Sequence, residues 1–286
     1  RRTYETMKRY VGFLSTRATN NLLSHGLGDW YDIGPNPPGV SQLTPIALSA
    51  TAFYFYDNWI LARTAALLGK GEEADHFAAK AEDIRRAFNE RFYDPAKRSY
   101  ATDSQCANAI PLVMGIVEPA NRTAVVEAIV RDVRARGNAL TAGDVGYRYL
   151  LRALAAGGRS DVIFDINNQS DKPGYGYQLK MGATSLTEAW DARRSSSHNH
   201  FMLGQINEWF YHDLAGIACD AAAGPGFKAI VIKPQPVGDV KWASASFASL
   251  RGLIACDWKR REGRFTLNAE VPANSGPTVW RPWREV

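Results

Sequence analysis

The sequence predicts a mainly α-helical domain followed by a small β module, because the spacing of its apolar residues changes once along the chain. From Tyr4 to about Ile217 apolar residues recur at helical intervals, whereas short alternating runs follow Gly224. No strand pattern separates the helices, which favours stacked helical hairpins over a βαβ arrangement. The helices also share no repeated sequence, so we expect a closed toroid rather than a solenoid.

The helices are expected to end at residues that interrupt helical backbone. Gly69, Gly137 and Gly216 follow apolar-periodic segments, and Asp94-Pro95 ends another. We expect about eight or nine helices from these patterns. Beyond the first, which begins near Tyr4, the main ones are predicted at about 44–68, 72–92, 104–116, 119–136, 144–155, 161–167 and 199–215.

The β module is predicted from runs of alternating residues separated by turn residues. These runs lie at 227–234, 246–250, 252–258 and 264–272. A module of roughly 60 residues buries little surface alone, so we expect it to pack on the helical domain or to be partial. The expected division is residues 1–222 for the helical domain and 223–286 for the β module.

Composition excludes several classes of function. The chain has 45% hydrophobic and 22% charged residues, as in ordinary globular proteins. Its net charge of +5 includes one dense basic run, 259–261, but no nucleic-acid motif accompanies it, so we expect no nucleic-acid partner. No apolar run approaches the roughly 18 residues of a membrane span. Because the sequence starts within a helical pattern, we expect the protein to extend upstream.

Cofactor chemistry has little support in the motifs. The three cysteines are too few for a disulfide framework and lack zinc-site spacing, and they leave the compartment open. His198 and His200 are two residues apart, unlike metalloprotease pairs. No phosphate-binding loop or G-x-S-x-G motif is present. We therefore predict no metal and no cofactor, with His200 hydrogen-bonding in a cleft and His198 in a solvated turn.

Two segments contain carboxylates beside aromatic rings, a combination that suits sugar hydroxyls and the apolar face of a sugar. In the motif Gly-Asp-Trp-Tyr-Asp at 28–32, Asp29 and Trp30 lie in a long loop, although a local turn explains them equally well. Glu188 is followed by Trp190, but Ser185-x-x-Glu188 also fits a helix-capping box. Carbohydrate chemistry is favoured, with both structural alternatives open.

Five motifs occur along the chain in a fixed order. They are Gly-Leu-Gly-Asp-Trp at 26–30, Gly-Asp-Val-Gly at 143–146, Gly-Ala-Thr-Ser at 182–185 with Glu188 and Trp190, Asn-His-Phe at 199–201 and Glu-Trp-Phe at 208–210. With these motifs the sequence resembles the inverting α-L-rhamnosidases of glycoside hydrolase family 78 over nearly its whole length. The resemblance is most specific between 182 and 217, where order, spacing and residue type all agree.

The resemblance implies an (α/α)6 barrel followed by a C-terminal β-sandwich. It implies that Glu188 is the general base, that His200 hydrogen-bonds rhamnose and that Trp30 lines the sugar pocket. Asp29 and Trp190 are further substrate-binding candidates. The expected ligand is a rhamnose-containing glycoside or oligosaccharide.

The general acid of that family has no counterpart here. The family places it upstream, in a cluster of Asp, Arg and Glu followed by Trp. Residues 81–86 contain similar types but lie in an amphipathic helix without the Trp. We therefore expect a barrel incomplete at its N-terminal side, inactive alone and partnered by the upstream part of the same protein. Another (α/α)-barrel exo-glycosidase and a non-catalytic carbohydrate-binding remnant stay open.

Overall fold

A computed structural model describes residues 2–220 and 222–280, and its helices agree with the predicted fold class. Short 3₁₀ turns at 119–121 and 201–205 and a π-helical turn at 210–214 supplement the helices. The helices are α1 (Arg2–Arg17), α2 (Ile46–Leu67), α3 (Gly71–Phe92), α4 (Gln105–Met114), α5 (Arg122–Ala135), α6 (Gly146–Ala156), α7 (Ser160–Asn167), α8 (Tyr175–Lys180) and α9 (Ile206–Trp209).

The helices pair as hairpins because short turns reverse the chain between them. Gly69, with φ of +72°, joins α2 to α3 in a conformation that suits glycine. The Oγ of Ser104 accepts the N–H of Ala107 at 3.2 Å and caps the start of α4. One hydrophobic core extends from α1 to α9. No helix in the described ranges is long and apolar enough to cross a membrane.

The prediction of one continuous last helix is wrong. Instead of one helix over 199–215, the chain forms a 3₁₀ turn, α9 and a π-helical turn in succession. Gly204 lies within the 3₁₀ turn that precedes α9, and glycine weakens helix interiors. The sequence analysis also missed α8 and a small hairpin of β1 (Tyr93–Asp94) and β2 (Ser99–Tyr100).

The β module consists of two three-stranded sheets around a small shared core of isoleucines and Cys256. β3 pairs antiparallel with β4 and β4 pairs parallel with β8, while β5, β6 and β7 form an antiparallel meander. The strands are β3 (Ile217–Cys219), β4 (Ala229–Ile232), β5 (Trp242–Ser249), β6 (Gly252–Arg261), β7 (Arg264–Glu270) and β8 (Gly276–Val279).

The β module packs on the helical domain. The indole N–H of Trp258 donates to the carbonyl of Leu214 at 2.8 Å, and Ser160 of α7 hydrogen-bonds Gln235 at 2.7 Å. β3 lies upstream of the predicted boundary at 222, yet it pairs with β4. Residues 281–286, which the predicted module includes, lie outside the described residues.

Candidate active site

The loop between α1 and α2 is attached to the rest of the site through Asp29. Its carboxylate is fully buried and accepts the N–H groups of Gly143 at 2.9 Å and Gly146 at 2.6 Å. The thiol of Cys106 also hydrogen-bonds it. Burial raises the pKa of Asp29 to about 6, although these hydrogen bonds act against the rise. Asp29 therefore joins two segments that are remote in sequence.

Backbone contacts hold Trp30 against the segment 143–146. The carbonyl of Trp30 accepts the N–H of Asp144 at 2.7 Å. A β-carbon at Gly143 would lie 2.1 Å from that same carbonyl oxygen, so glycine is required for the close approach. Farther along the loop, the buried carboxylate of Asp32 accepts the N–H groups of Gln42 and Leu43.

Glu188 lies in the irregular segment 181–200 between α8 and the 3₁₀ turn. No helix begins at Ser185, whose hydroxyl instead donates to the carbonyl of His198, so the capping-box interpretation is wrong. The half-buried Glu188 carboxylate accepts the indole N–H of Trp30 at 3.4 Å and the N–H of Ser197 at 3.3 Å. The N–H of Glu188 donates to the carbonyl of Ser197 at 2.8 Å.

His200, the last residue of this segment, lies at the same site. Its Nε2 lies 2.9 Å from Oδ2 of Asp144, whose side chain is 6% exposed. Burial raises the pKa of Asp144, the charge of Glu188 adds to the rise, and the His200 hydrogen bond opposes it. One ligand atom from each of Asp144, Glu188 and His200 lies within 4.8 Å of the others.

These three side chains form a group that could hold a metal ion. The donors suit either a cation or a sugar hydroxyl, because both contact oxygen and nitrogen lone pairs. However, His200 Nε2 and Asp144 Oδ2 already satisfy each other. The absence of a metal stays a prediction.

Trp190 and Asp29 lie beneath the site surface. Trp190 is 2% exposed, its N–H donates to the carbonyl of Ala142 at 2.8 Å, and its ring packs edge-on against Tyr147 and Tyr175. Asp29 is equally inaccessible. Neither side chain presents a surface to a sugar, which corrects the expectation of direct contact and leaves them a supporting position. Trp30, Glu188 and His200 remain partly accessible.

Asp144 is the site residue to which the sequence analysis gave no role. The motif at 143–146 contributed to the family resemblance, but nothing in its spacing indicated a partner 56 residues away. The ring of His198 hydrogen-bonds the carbonyl of Arg193, and the residue is exposed.

Helical hairpins that bring carboxylates, an indole and an imidazole to one set of loops define a six-hairpin glycosidase domain. Residues 1–214 match the family model of the bacterial α-L-rhamnosidase six-hairpin glycosidase domain, and residues 216–285 match that of the bacterial α-L-rhamnosidase C-terminal domain. The chain therefore belongs to the bacterial α-L-rhamnosidase family.

Two comparisons identify similar proteins that are α-L-rhamnosidases. The chain is 34% identical to an α-L-rhamnosidase of Streptomyces avermitilis over 266 residues, covering 90% of this chain and 25% of that protein. The crystal structure of the S. avermitilis α-L-rhamnosidase complexed with L-rhamnose matches with a TM-score of 0.88 and 30% identity, covering 98% of this chain and 27% of that one.

A second solved structure, α-L-rhamnosidase from Dictyoglumus thermophilum, matches with a TM-score of 0.89 and 32% identity, covering 96% of this chain and 31% of that one. The chain thus spans between 25% and 31% of the length of these relatives.

Proposed function

We propose that this chain provides the general base and part of the sugar pocket of an inverting α-L-rhamnosidase. The observation that carries the proposal is the Glu188 carboxylate, which is half-buried, partly accessible and held by two N–H donors from different segments. Within the described part of the chain, this carboxylate forms no ion pair, and its hydrogen-bond donors are these two N–H groups.

In the proposed reaction, a water oxygen attacks the anomeric carbon while the bond to the leaving oxygen breaks. Glu188 takes a proton from the water, and a separate general acid gives a proton to the leaving oxygen. Inverting enzymes hold the two carboxyls about 6.5–9.5 Å apart so that the water fits between them. The donors to Glu188, at 3.3 and 3.4 Å, come from two different segments and orient the carboxylate.

The substrate that suits these residues is a rhamnose-containing glycoside or oligosaccharide. Trp30 offers an indole for the apolar face of the sugar, and His200 offers a ring nitrogen for a hydroxyl. Asp29 and Trp190 support these groups from below through their backbone hydrogen bonds. One similar protein was crystallised with L-rhamnose, and the proposal extends that ligand to this chain.

The general acid is proposed to come from an upstream part of the same protein. In the stretch 81–86, Glu82 pairs with Arg85 and Asp83 pairs with Arg86 on the surface of α3. These pairs are ordinary i,i+3 helix contacts, which supports a surface role for the stretch. A non-catalytic sugar-binding protein and a different exo-glycosidase are the competing functions.

The test uses the complete protein, including any residues upstream of Arg1, against a panel of aryl glycosides. We expect turnover of the α-L-rhamnoside and release of rhamnose with inverted anomeric configuration, detected by NMR of the first product. Retained configuration would contradict the base role of Glu188. Binding of rhamnose without turnover would indicate a binding module, and turnover of another glycoside alone would indicate a different exo-glycosidase.

A further inference from the structure

The pairing of Asp144 with His200 leaves one histidine nitrogen available. The Nε2 of His200 is occupied by Asp144 Oδ2 at 2.9 Å. Its Nδ1 has no hydrogen-bond partner among residues 2–220 and 222–280, and the side chain is 24% exposed. The imidazole therefore has a buried edge fixed by a carboxylate and an edge free to meet a ligand.

Asp144 is itself rigidly placed. Its N–H donates to the carbonyl of Trp30 at 2.7 Å, and its carbonyl accepts the side-chain amide of Gln205 at 2.7 Å. Gly143 and Gly146 on either side both donate to the buried carboxylate of Asp29. Backbone held in this way gives the Asp144 side chain a fixed starting point, so it can impose an orientation on His200.

We propose that Asp144 is a positioning residue that keeps His200 in the Nε2–H tautomer, so that Nδ1 accepts a hydrogen bond from a hydroxyl of the bound sugar. The inference rests on the proposed function and adds the residue that orders the sugar contact. A carboxylate only accepts hydrogen bonds, so Nε2 must carry the proton between them. The lone pair of a neutral ring then lies at Nδ1.

A direct catalytic role suits Asp144 less well. Its side chain is 6% exposed, Oδ2 is engaged by His200, and Oδ1 is buried without a hydrogen-bond partner among the residues that the structure describes. A general acid has to reach the leaving oxygen of the substrate. Asp144 is therefore placed to act on a sugar through His200, which it contacts at 2.9 Å and whose side chain is 24% exposed.

The first experiment reads the tautomer directly. The complete protein, including any residues upstream of Arg1, is labelled with ¹⁵N-histidine, and the resonances of His200 are assigned by comparison with His200→Asn. We expect a protonated Nε2 and an unprotonated Nδ1 in the wild type. Asp144→Asn, whose amide can donate to Nε2, should shift the population towards the Nδ1–H form. Asp165→Asn, a carboxylate on the surface of α7, is the matched control and should leave the tautomer unchanged.

The second experiment measures L-rhamnose affinity in the complete protein as a double-mutant cycle. Asp144→Asn should weaken binding about 10–100-fold, because Nδ1–H presents a donor where an acceptor is required. In a His200→Ala background the same change should have no further effect. Equal losses in both backgrounds would overturn the inference, as would an Nδ1–H tautomer in the wild type. The tautomer measurement decides even if Asp144→Asn does not fold.

The two proposals can fail separately. If the complete wild-type protein neither binds rhamnose nor cleaves a rhamnoside, the proposed function fails, whereas the NMR comparison still decides whether Asp144 sets the tautomer. If rhamnose binds normally and Asp144→Asn changes neither tautomer nor affinity, the inference fails and the proposed function stands.

Discussion

The indole N–H of Trp30 donates to Oε1 of Glu188 at 3.4 Å, across 158 positions of sequence. This contact joins the loop after α1 to the irregular segment after α8. The carbonyl of Trp30 accepts the N–H of Asp144 on the neighbouring segment. Trp30 therefore links the proposed base to the Asp144–His200 pair.

Replacing Glu188 with Gln should lower kcat of the complete protein about 10²–10⁴-fold, because the amide cannot take a proton from water. Rhamnose affinity should change little, since the amide keeps the shape and one acceptor. Steady-state kinetics and a rhamnose titration measure the two effects. Glu82→Gln on the surface of α3 is the control. Near wild-type turnover in Glu188→Gln would leave Glu188 with only a structural role.

Replacing Trp30 with Ala should weaken sugar binding by about 1–3 kcal/mol, the value of an aromatic contact face. Because Trp30 is only half-buried, the free energy of unfolding should fall less than the roughly 3–5 kcal/mol typical of a core aromatic residue. Trp30→Phe retains a ring without the N–H and separates stacking from the Glu188 hydrogen bond. A large stability loss with unchanged affinity would identify Trp30 as a core residue instead.

The sequence predicted those elements that residues close together in the chain determine. The helix predicted at about 44–68 was found as α2, because continuous apolar periodicity and Gly69 determine it locally. The capping-box interpretation of Glu188 failed because the hydrogen bonds of segment 181–200 run across the segment itself, from Glu188 to Ser197 and from Ser185 to His198. No local spacing encodes such pairings.

In the candidate site, too, some features were predictable from the sequence and others were not. Glu188, Trp30 and His200 were identified through motifs, and they do lie around one site. Burial of Asp29 and Trp190 was not predictable, because carboxylates and indoles serve equally as ligand contacts and as buried hydrogen-bonding groups. Their hydrogen bonds to the distant backbone groups of Gly143 and Ala142 identify them as buried hydrogen-bonding groups.

Replacing Gly143 with Ala should disrupt the site, since its β-carbon would lie 2.1 Å from a backbone oxygen that cannot rotate away. We expect a loss of about 1–3 kcal/mol in the free energy of unfolding, as for other overpacked positions. At Gly12 in α1, an added β-carbon would have no described atom within 4 Å beyond its chain neighbours and its own helix backbone, so Gly12→Ala should be neutral or stabilise by about 0.5–1 kcal/mol. Urea denaturation of both variants is the measurement, and equal stabilities would contradict the close packing.

Replacing Asp29 with Asn should change how stability depends on pH. Burial raises the pKa of Asp29 from 3.8 to about 6, so between these values the folded state binds more protons than the unfolded state. This group therefore lowers the free energy of unfolding as pH rises through that window, by about 3 kcal/mol in all. Asp29→Asn should lack this decline.

The amide of Asp29→Asn also offers one acceptor to two N–H donors, which costs about 1–3 kcal/mol at every pH. Urea denaturation from pH 4 to 7, with the surface variant Asp165→Asn as control, separates the two effects. The same pH slope in Asp29→Asn and wild type would show that Asp29 does not carry the shifted proton.

The 286-residue chain alone should not cleave natural rhamnosides, because Glu188 has no partner acid in it that resembles the family's. Apolar rings on α1 are also exposed, including Tyr10 at 55% and Phe13 at 48%, and we expect upstream barrel helices to cover them. The chain should then bind a hydrophobic dye, aggregate or require the upstream part in trans.

An aryl rhamnoside with a good leaving group needs less protonation, so we expect any residual activity on this substrate alone. That activity should vanish in Glu188→Gln. Turnover of a natural rhamnoside near that of a full-length relative would refute this prediction and direct the search for the acid to Asp29, Asp32, Asp144 and Asp191.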